Sequence, residues 1–340
     1  MEQNPDQAIT SPPRLIPSLS AGFNAVANNV YLLILPVVVD LLLWFGPHVR
    51  IKSLFAPFFL SFNEQALSME AQLSPDLISM MVQSQKAWDV ILERFNLLSV
   101  LRTLPVGVPS LLAFRGVIQN PIGRAAFYES STILGSIGSW IAIVVAGILL
   151  GTIYFGSVAR SSGILDRPFS ARLLAGQFVQ TMLLTLTLAL VLAIIIVPMS
   201  LVLAVSALIN PNLGQVTLFA MTFLALWLLL PLFFSPHGIF MDHSRARDAV
   251  FQSLRLARLF MPNTGLMILL IILIGQGMNV IWLLPKWDSW MVLLGIAGHA
   301  FISSGLLAAT FVYYRDGIDW MEKLSSKNNL QPQQGDTLHS

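Results

Sequence analysis

Six apolar runs, with arginine concentrated in every second loop between them, constrain the fold of this chain more than any other feature. A bilayer hydrocarbon core about 30 Å thick is crossed by roughly 20 helical residues, and most of the runs reach that length. They cover residues 30–45, 137–155, 182–208, 216–234, 265–284 and 290–313. Backbone amides in lipid must bond within their own segment, and the runs lack the alternation of barrel strands. The sequence therefore predicts an all-α polytopic membrane protein with six transmembrane helices.

The composition excludes a water-soluble globular protein. Of the 340 residues, 55% are apolar and only 11% are charged, and such a chain could not be packed in water without large exposed apolar patches. A formal net charge of +2 is too small to indicate a nucleic-acid partner. Cysteine is absent, which excludes a disulfide, a thiolate nucleophile and a cysteine-ligated metal. The predicted partner for most of the surface is the lipid bilayer.

The short loops predict the orientation of the runs. Seven arginines lie between runs two and three or between runs four and five: Arg160, Arg167, Arg172, Arg245, Arg247, Arg255 and Arg258. The connection 209–215 carries no basic residue, and Lys286 between runs five and six is offset by Asp288. Because cytoplasmic loops are enriched in basic residues, we predict a multi-pass protein of the cell membrane with both termini in the cytoplasm.

Polarity divides the chain into five parts. We predict disordered tails at 1–13 and 325–340, an interfacial helix with the first span at 14–45, an extracytoplasmic helical insertion at 46–135, and a five-span membrane bundle at 136–324. In the insertion, Pro75 begins an amphipathic helical pattern that includes Trp88 and Ile91. A second apolar block, 106–118, is too short to cross and either lies in the interface or re-enters the membrane. The insertion is either a packing domain or a cap over a central site.

A repeated pattern precedes runs one, three and five. Segments 15–29, 168–181 and 248–264 can each form an amphipathic helix that leads into the membrane. The predicted architecture is therefore three helical hairpins, each preceded by a cytoplasmic interfacial helix. In the third segment the predicted apolar stripe consists of Val250, Leu254, Ala257 and Met261. Arginines beside that stripe can reach lipid phosphates; they are Arg247, Arg255 and Arg258.

Two segments resemble a known group of membrane domains. They are RDAVFQSLRLARLF (residues 247–260), which leads into run five, and FVYYRDGIDW (residues 311–320), which closes run six. The carboxy-terminal third resembles the multi-pass membrane domain found ahead of some glycerophosphodiester phosphodiesterases and its stand-alone bacterial relatives. The long insertion departs from that group, and no phosphodiesterase catalytic domain is present. The resemblance implies a membrane module without known chemistry of its own.

Ionisable and polar residues inside the runs predict a polar site. A charge in the hydrocarbon core costs at least about 2.5 kcal/mol and is usually functional or paired. Counted along the runs, a set of polar residues falls near the midplane: Asp40, Gln276, Asn279, His299 and Ser303. One hypothesis is a site at which His299 and Asp40 pair to bind or relay a proton or a polar head group. The alternative is a structural polar cluster that fixes helix register.

The remaining motifs favour no enzymatic chemistry. His237 and Asp242 have the H-x4-D spacing of some glycerolipid acyltransferases, but the companion blocks are absent. A metal site that adds His243 is disfavoured, because adjacent ligands on a helix diverge by about 100°. The sequence has no Walker motif, G-x-G-x-x-G turn, G-x-S-x-G elbow or H-E-x-x-H, so we predict no catalytic residue, cofactor or metal. Gly147 and Gly151 form a G-x-x-x-G pair suited to close packing within the bundle.

Three functions are compatible with these features. The favoured hypothesis is a non-enzymatic integral membrane module that contacts lipid or a partner protein. The alternative is a transporter or channel-like component that uses Asp40, Gln276 and His299, and the third is a lipid-modifying enzyme. No oligomeric state follows from the sequence.

Overall fold

The fold is described from a computed structural model, which covers residues 13–55, 57, 61, 75–130, 132–163, 170–241, 244–259 and 261–330. Helices make up most of it. They are α1 (Leu15–Ala27), α2 (Ile34–Phe45), α3 (Pro75–Arg94), α4 (Ile133–Ser161), α5 (Ala171–Ile209), α6 (Pro211–Leu229), α7 (Ser235–Met241), α8 (Ala246–Leu259), α9 (Met261–Trp282) and α10 (Val292–Leu330). The strands are β1 (His48–Arg50), β2 (Gln119–Asn120), β3 (Gly123–Arg124) and β4 (Phe127–Glu129). The predicted all-α class is confirmed.

Five helical segments are long and apolar enough to cross a membrane. They are α4, α5, the segment from α6 through α7, α9 and α10. A sixth candidate is the pair formed by α1 and Val30–Phe45, whose two parts meet at 90°. The prediction of a multi-pass membrane protein is thus confirmed, with six spans if the bent pair counts as one. Helix α10 continues to Leu330, into the predicted tail 325–340, and residues 1–12 and 331–340 lie outside the described part.

Local capping sets the boundaries of the long helices. The Ser170 hydroxyl accepts a hydrogen bond from Leu173 N at the start of α5. The Asn210 side chain accepts one from Asn212 N, and Pro211 occupies the first turn of α6. A side-chain oxygen at the N-cap and proline in the first turn both favour a helix start. These signals produce the tight connection between α5 and α6.

The three predicted interfacial helices differ in the structure. The first is α1, which is separate from α2 and packs along α10, where Gly22 contacts Ala309. The second, 168–181, is not a separate helix, because its residues from Ala171 onward form the first turns of α5. The third is α8, an independent helix. Its buried residues are Ala246, Ala249, Ser253, Leu256 and Ala257. Of the predicted apolar stripe, Ala257 is buried, Val250 and Leu254 are half-buried, and Met261 is exposed at the start of α9.

The insertion contains the predicted amphipathic helix α3 and strands that were not predicted. β1 pairs in parallel with β4, and β2 pairs with β3 in an antiparallel hairpin. The hairpin is anchored to the bundle because Asn120 Nδ2 donates to the Trp44 carbonyl at the end of α2 (3.1 Å). Trp44 Nε1 in turn donates to the Trp287 carbonyl between α9 and α10 (3.0 Å). We call this end of the bundle, where the insertion lies, the insertion end.

A buried histidine in β1 predicts that stability depends on pH. His48 is 2% exposed, and burial lowers its pKa, with the nearby Arg50 charge acting in the same direction and a hydrogen bond with the Leu43 backbone opposing it. A histidine whose pKa is lower folded than unfolded costs no stability above about pH 6.5, and destabilises the fold as the pH falls below that value. We expect the midpoint temperature of thermal unfolding in detergent to fall as the pH is lowered from 7.5 to 5.0, and we expect a smaller fall in the His48→Gln variant. An equal fall in the two proteins would contradict the expectation.

Candidate functional site

A buried carboxylate holds an irregular segment inside the bundle. Asp40 on α2 is fully buried. Its Oδ1 accepts hydrogen bonds from the Ser110 hydroxyl and Leu112 N, and its Oδ2 accepts one from Leu111 N (3.0 Å for each backbone donor). Ser110 Oγ also accepts from Ala113 N (3.0 Å). Three donors therefore converge on one carboxylate, which satisfies polar groups that would otherwise be unpaired in a low-dielectric interior.

We call residues 102–117 the buried segment after its interior, since Leu104 and Phe114 toward its two ends are exposed. Val106 and Val108 are 0% exposed, although no helix or strand is assigned between 102 and 117. Irregular backbone at membrane depth is tolerated where it is buried in protein or lines an aqueous cavity. The block 106–118 contacts Asp40 on α2 and Gly151 on α4; its position relative to the membrane, in the interface or re-entrant, stays a prediction.

Two glycines on α4 allow the buried segment to pack at this depth. A Cβ placed at Gly147 would lie 2.7 Å from the Leu101 carbonyl oxygen, and one at Gly151 would lie 2.8 Å from Gly107 Cα. Both distances are too short for a side chain. Gly151 is about 27 Å along α4 from its start at Ile133, at about 1.5 Å per residue. The G-x-x-x-G pair is thus used for packing within the chain, as predicted. Gly147 packs on the end of the short 3₁₀ helix Leu97–Leu101, and Gly151 packs on the buried segment.

Arg102 adds a positive charge beside this contact. Its guanidinium donates to the Ser110 carbonyl (3.2 Å), and its charge lies close enough to the Asp40 carboxylate to interact electrostatically with it. Arg115, at the other end of the buried segment, also interacts electrostatically with Arg102. The buried segment therefore carries two cations and is held by one anion.

Three of the five predicted site residues form a second polar cluster. His299 Nδ1 lies 2.8 Å from Asn279 Oδ1, and His299 Nε2 lies 3.3 Å from Ser303 Oγ. Since an amide oxygen can only accept, Nδ1 carries the proton and Nε2 accepts from the serine when the ring is neutral. Gln276 is exposed on α9 and does not face this cluster. The cluster joins α9 to α10.

The predicted pair of Asp40 and His299 does not form. The hydrogen bonds of Asp40 go to the buried segment, whereas those of His299 go to Asn279 and Ser303. Asn279 is three residues from the end of α9, or about 5 Å, and Asp40 is five residues from the end of α2, or about 8 Å. Both polar centres lie toward the insertion end.

The third polar centre is His237 on α7, a helix in which every residue except Met241 is buried. Its Nε2 lies 2.7 Å from Thr310 Oγ1, and its ring centroid is 4.5 Å from Phe311 and 5.2 Å from Phe234. Asp242 and His243, its predicted companions, lie outside the described residues. Among the residues the structure does describe, no group of three His, Asp or Glu side chains could hold a metal. His237 thus packs in an aromatic environment with one hydroxyl partner.

Sequence reasoning missed buried polar atoms on α5 and α7. Both side-chain atoms of Gln177, the Thr181 hydroxyl and the Ser235 hydroxyl are buried without a hydrogen-bond partner within the described part of the chain. Gln177 Oε1 faces Gly156 on α4, 3.5 Å from where a Cβ would lie. Buried polar groups of this kind are commonly satisfied by ordered water. The signal that could have revealed them is the i, i+4 spacing of Gln177 and Thr181, which puts both on one helix face.

Comparison with known proteins adds no further assignment. The chain matches no protein-family model, and no curated protein and no solved structure is significantly similar to it. The resemblance to the membrane domain of glycerophosphodiester phosphodiesterases stays a prediction.

Proposed function

We propose that the chain is a non-enzymatic module of the cell membrane that contacts lipid headgroups through α8, with both of its termini in the cytoplasm. The observation that carries the proposal is the division of α8 into two faces. One face is formed mainly of small residues, and Ala249 packs against Gly238 on α7. The other face exposes Arg247, Arg255 and Arg258 to the surroundings of the bundle.

An exposed aromatic residue lies on the arginine face of α8. Phe251 is 63% exposed, and its position between Arg247 and Arg255 gives that face an apolar centre flanked by cations. Helices with this composition lie in the interface between lipid headgroups and acyl chains. Long arginine side chains can then extend to lipid phosphates. The geometry supports lipid contact at this end of the bundle.

The distribution of arginines supports the proposed orientation. Arg160 near the end of α4 and Arg172 at the start of α5 lie at the same end of the bundle as α8, opposite the insertion end. The connection between α5 and α6 has no basic residue, and Lys286 between α9 and α10 is accompanied by Asp288. Because the rule applies to short loops and not to the long insertion, this bias favours a cytoplasmic position for the end of the bundle that carries α8.

A transporter or channel-like component is the second candidate. The buried segment favours it, because irregular backbone within a bundle is found at substrate and ion sites of transporters. The separation of Asp40 from His299 weighs against one shared binding site for these residues. A lipid-modifying enzyme gains no support from the described residues. Reconstituted protein that moves a labelled ion or lipid across the bilayer would favour the second candidate over the first.

The proposal is tested by changing the arginine face of α8. The triple variant Arg247→Gln, Arg255→Gln, Arg258→Gln should lose preference for anionic over zwitterionic lipid, as measured by native mass spectrometry of the protein released from mixed vesicles. We expect a loss of about tenfold or more, since each arginine near the surface contributes on the order of 1 kcal/mol.

The matched control keeps the charge. Changing the same three arginines to lysine should preserve most of the anionic-lipid preference, because lysine also binds phosphate, although as a point charge. If the glutamine variant retains the lipid preference of the parent protein, α8 does not contact lipid headgroups and the proposal fails.

A further inference from the structure

A pocket of about 320 Å³ lies at the insertion end, on the opposite side of the bundle from α8. It is formed where the last turn of α3, the short 3₁₀ helix Leu97–Leu101 and the end of the buried segment meet. The polar side chains that line it belong to Arg94, Asn96, Ser99 and Arg115. This pocket is not used by any of the three polar centres described above.

The lining of the pocket offers hydrogen-bond donors and no carboxylate. Asn96 Oδ1 already accepts from Val49 N (3.2 Å) and Leu98 N (3.1 Å), which leaves its Nδ2 group as the donor. Arg94 and Arg115 each carry a guanidinium, and neither forms an ion pair within the described residues. A lining with two arginines and no carboxylate is suited to a phosphate or carboxylate group.

Backbone geometry brings the two arginines to one pocket. Gly116 has φ +62°, a conformation that favours glycine, and a Cβ at this position would lie 2.7 Å from Arg94 Cβ. The chain therefore passes so close to Arg94 that only glycine fits, and this passage sets the neighbouring Arg115 beside it. Two like charges at one pocket repel each other unless an anion lies between them.

The rest of the lining is apolar and open to the surroundings. Val90 is 50% exposed, Ile91 is 52% exposed and Phe114 is 58% exposed. Phe114 also has φ +61°, which is unfavourable for a bulky side chain and occurs mainly at functional or strongly constrained positions. This conformation directs an aromatic side chain away from the core, next to Arg115. An amphiphile would satisfy both the cationic and the apolar parts of the lining.

We propose that this pocket binds an anionic phospholipid, with the lipid phosphate held by Arg94, Arg115 and Asn96, and the apolar part of the lipid against Ile91 and Phe114. The site lies at the other end of the bundle from the lipid-contacting face of α8, so it does not depend on the proposed function. It differs from that face in being a defined pocket for one molecule. The buried segment, whose end forms one wall, places the pocket beside the membrane-spanning part of the chain.

The test uses the full chain in detergent, with phosphatidylglycerol titrated against phosphatidylcholine and binding followed by native mass spectrometry. The comparison is made in the α8 triple variant, which serves here as the parent, so that lipid bound at α8 does not mask the pocket. Adding the double variant Arg94→Gln, Arg115→Gln should weaken phosphatidylglycerol binding at least about tenfold, because two charge-assisted contacts are lost. The matched control is Arg124→Gln, an exposed arginine of the same insertion in the β2–β3 hairpin, which should bind as the parent does. Equal binding by the double variant and the parent overturns the proposal.

Two further arms identify the source of the phosphate. Inorganic phosphate at millimolar concentration should not displace the lipid, and full displacement would show a site for free phosphate and overturn the proposal. Phe114→Ala should weaken binding of a long-chain lipid more than that of a short-chain analogue, whereas equal weakening would contradict the apolar contact. Because the α8 triple variant leaves this pocket unchanged, failure here is distinguishable from failure of the proposed function.

Discussion

Replacing Asp40 by leucine is expected to lower the thermal stability of the protein in detergent substantially. The substitution removes the acceptor for the Ser110 hydroxyl and for the backbone N–H groups of Leu111 and Leu112. Each buried donor left without a partner costs about 1–3 kcal/mol, so the total is about 3 kcal/mol or more. Domains are typically stable by only about 5–15 kcal/mol. We therefore expect the midpoint of thermal unfolding to fall by roughly 10 °C.

Two variants distinguish the role of the carboxylate from the loss of a polar residue. Asp40→Asn keeps one acceptor oxygen and should lose only part of the stability. Asp288→Leu removes an exposed aspartate between α9 and α10 and should unfold close to the parent, since exposed substitutions are usually nearly neutral. If Asp40→Leu unfolds at the same temperature as the parent, the carboxylate does not hold the buried segment in place.

The spans could be predicted from the sequence, whereas the contacts of Asp40 could not. Hydropathy and length are local properties, and they identify α4, α5, α6, α9 and α10 without knowledge of their neighbours. Asp40 and Ser110 are 70 residues apart in the chain. Their contact depends on how far the block 106–118 enters the bundle, and that depth is set by Gly147 and Gly151 on α4. No local pattern encodes such a three-part arrangement.

The second polar cluster shows a different limit of sequence reasoning. His299, Asn279 and Ser303 were identified because polar residues are rare in apolar runs, and they do contact one another. Gln276 was included for the same reason, but it lies on the exposed side of α9. Which face of an apolar helix packs against α10 is a tertiary property that a nearly uniform hydropathy does not reveal.

The strands of the insertion were beyond prediction for a simpler reason. β1 and β4 have three residues each, and β2 and β3 have two. An alternating pattern needs about four to eight residues to be recognised. The amphipathic helix α3 was predicted because its pattern extends over 20 residues. Within the insertion, the length of an element therefore decided whether its sequence revealed it.

Replacing Gly151 by valine is expected to displace the buried segment from α4. The first side-chain atom alone would lie 2.8 Å from both Gly107 Cα and the Val106 carbonyl oxygen, and these are backbone atoms that cannot rotate away. Overpacking of this kind typically costs about 1–3 kcal/mol or more. The native chain has no cysteine, so Val108→Cys provides a single thiol at a position that is 0% exposed. Maleimide should modify this thiol at least about tenfold faster when Gly151→Val is added, because opening of the segment exposes it.

Gly138 provides the matched control on the same helix, since a Cβ at this position would meet nothing within 4 Å. Gly138→Val should leave the rate at which maleimide modifies the thiol at position 108 unchanged. An equally slow rate in the Gly151→Val protein would contradict the packing of the buried segment on α4.

Substitution by alanine at the same two glycines gives a second comparison. At Gly138 it should raise stability by about 0.5–1 kcal/mol through helix propensity, whereas at Gly151 it should lower stability, because its methyl group already meets the backbone of Gly107. The same substitution then has opposite signs at two glycines of one helix, which only a contact along part of that helix can produce.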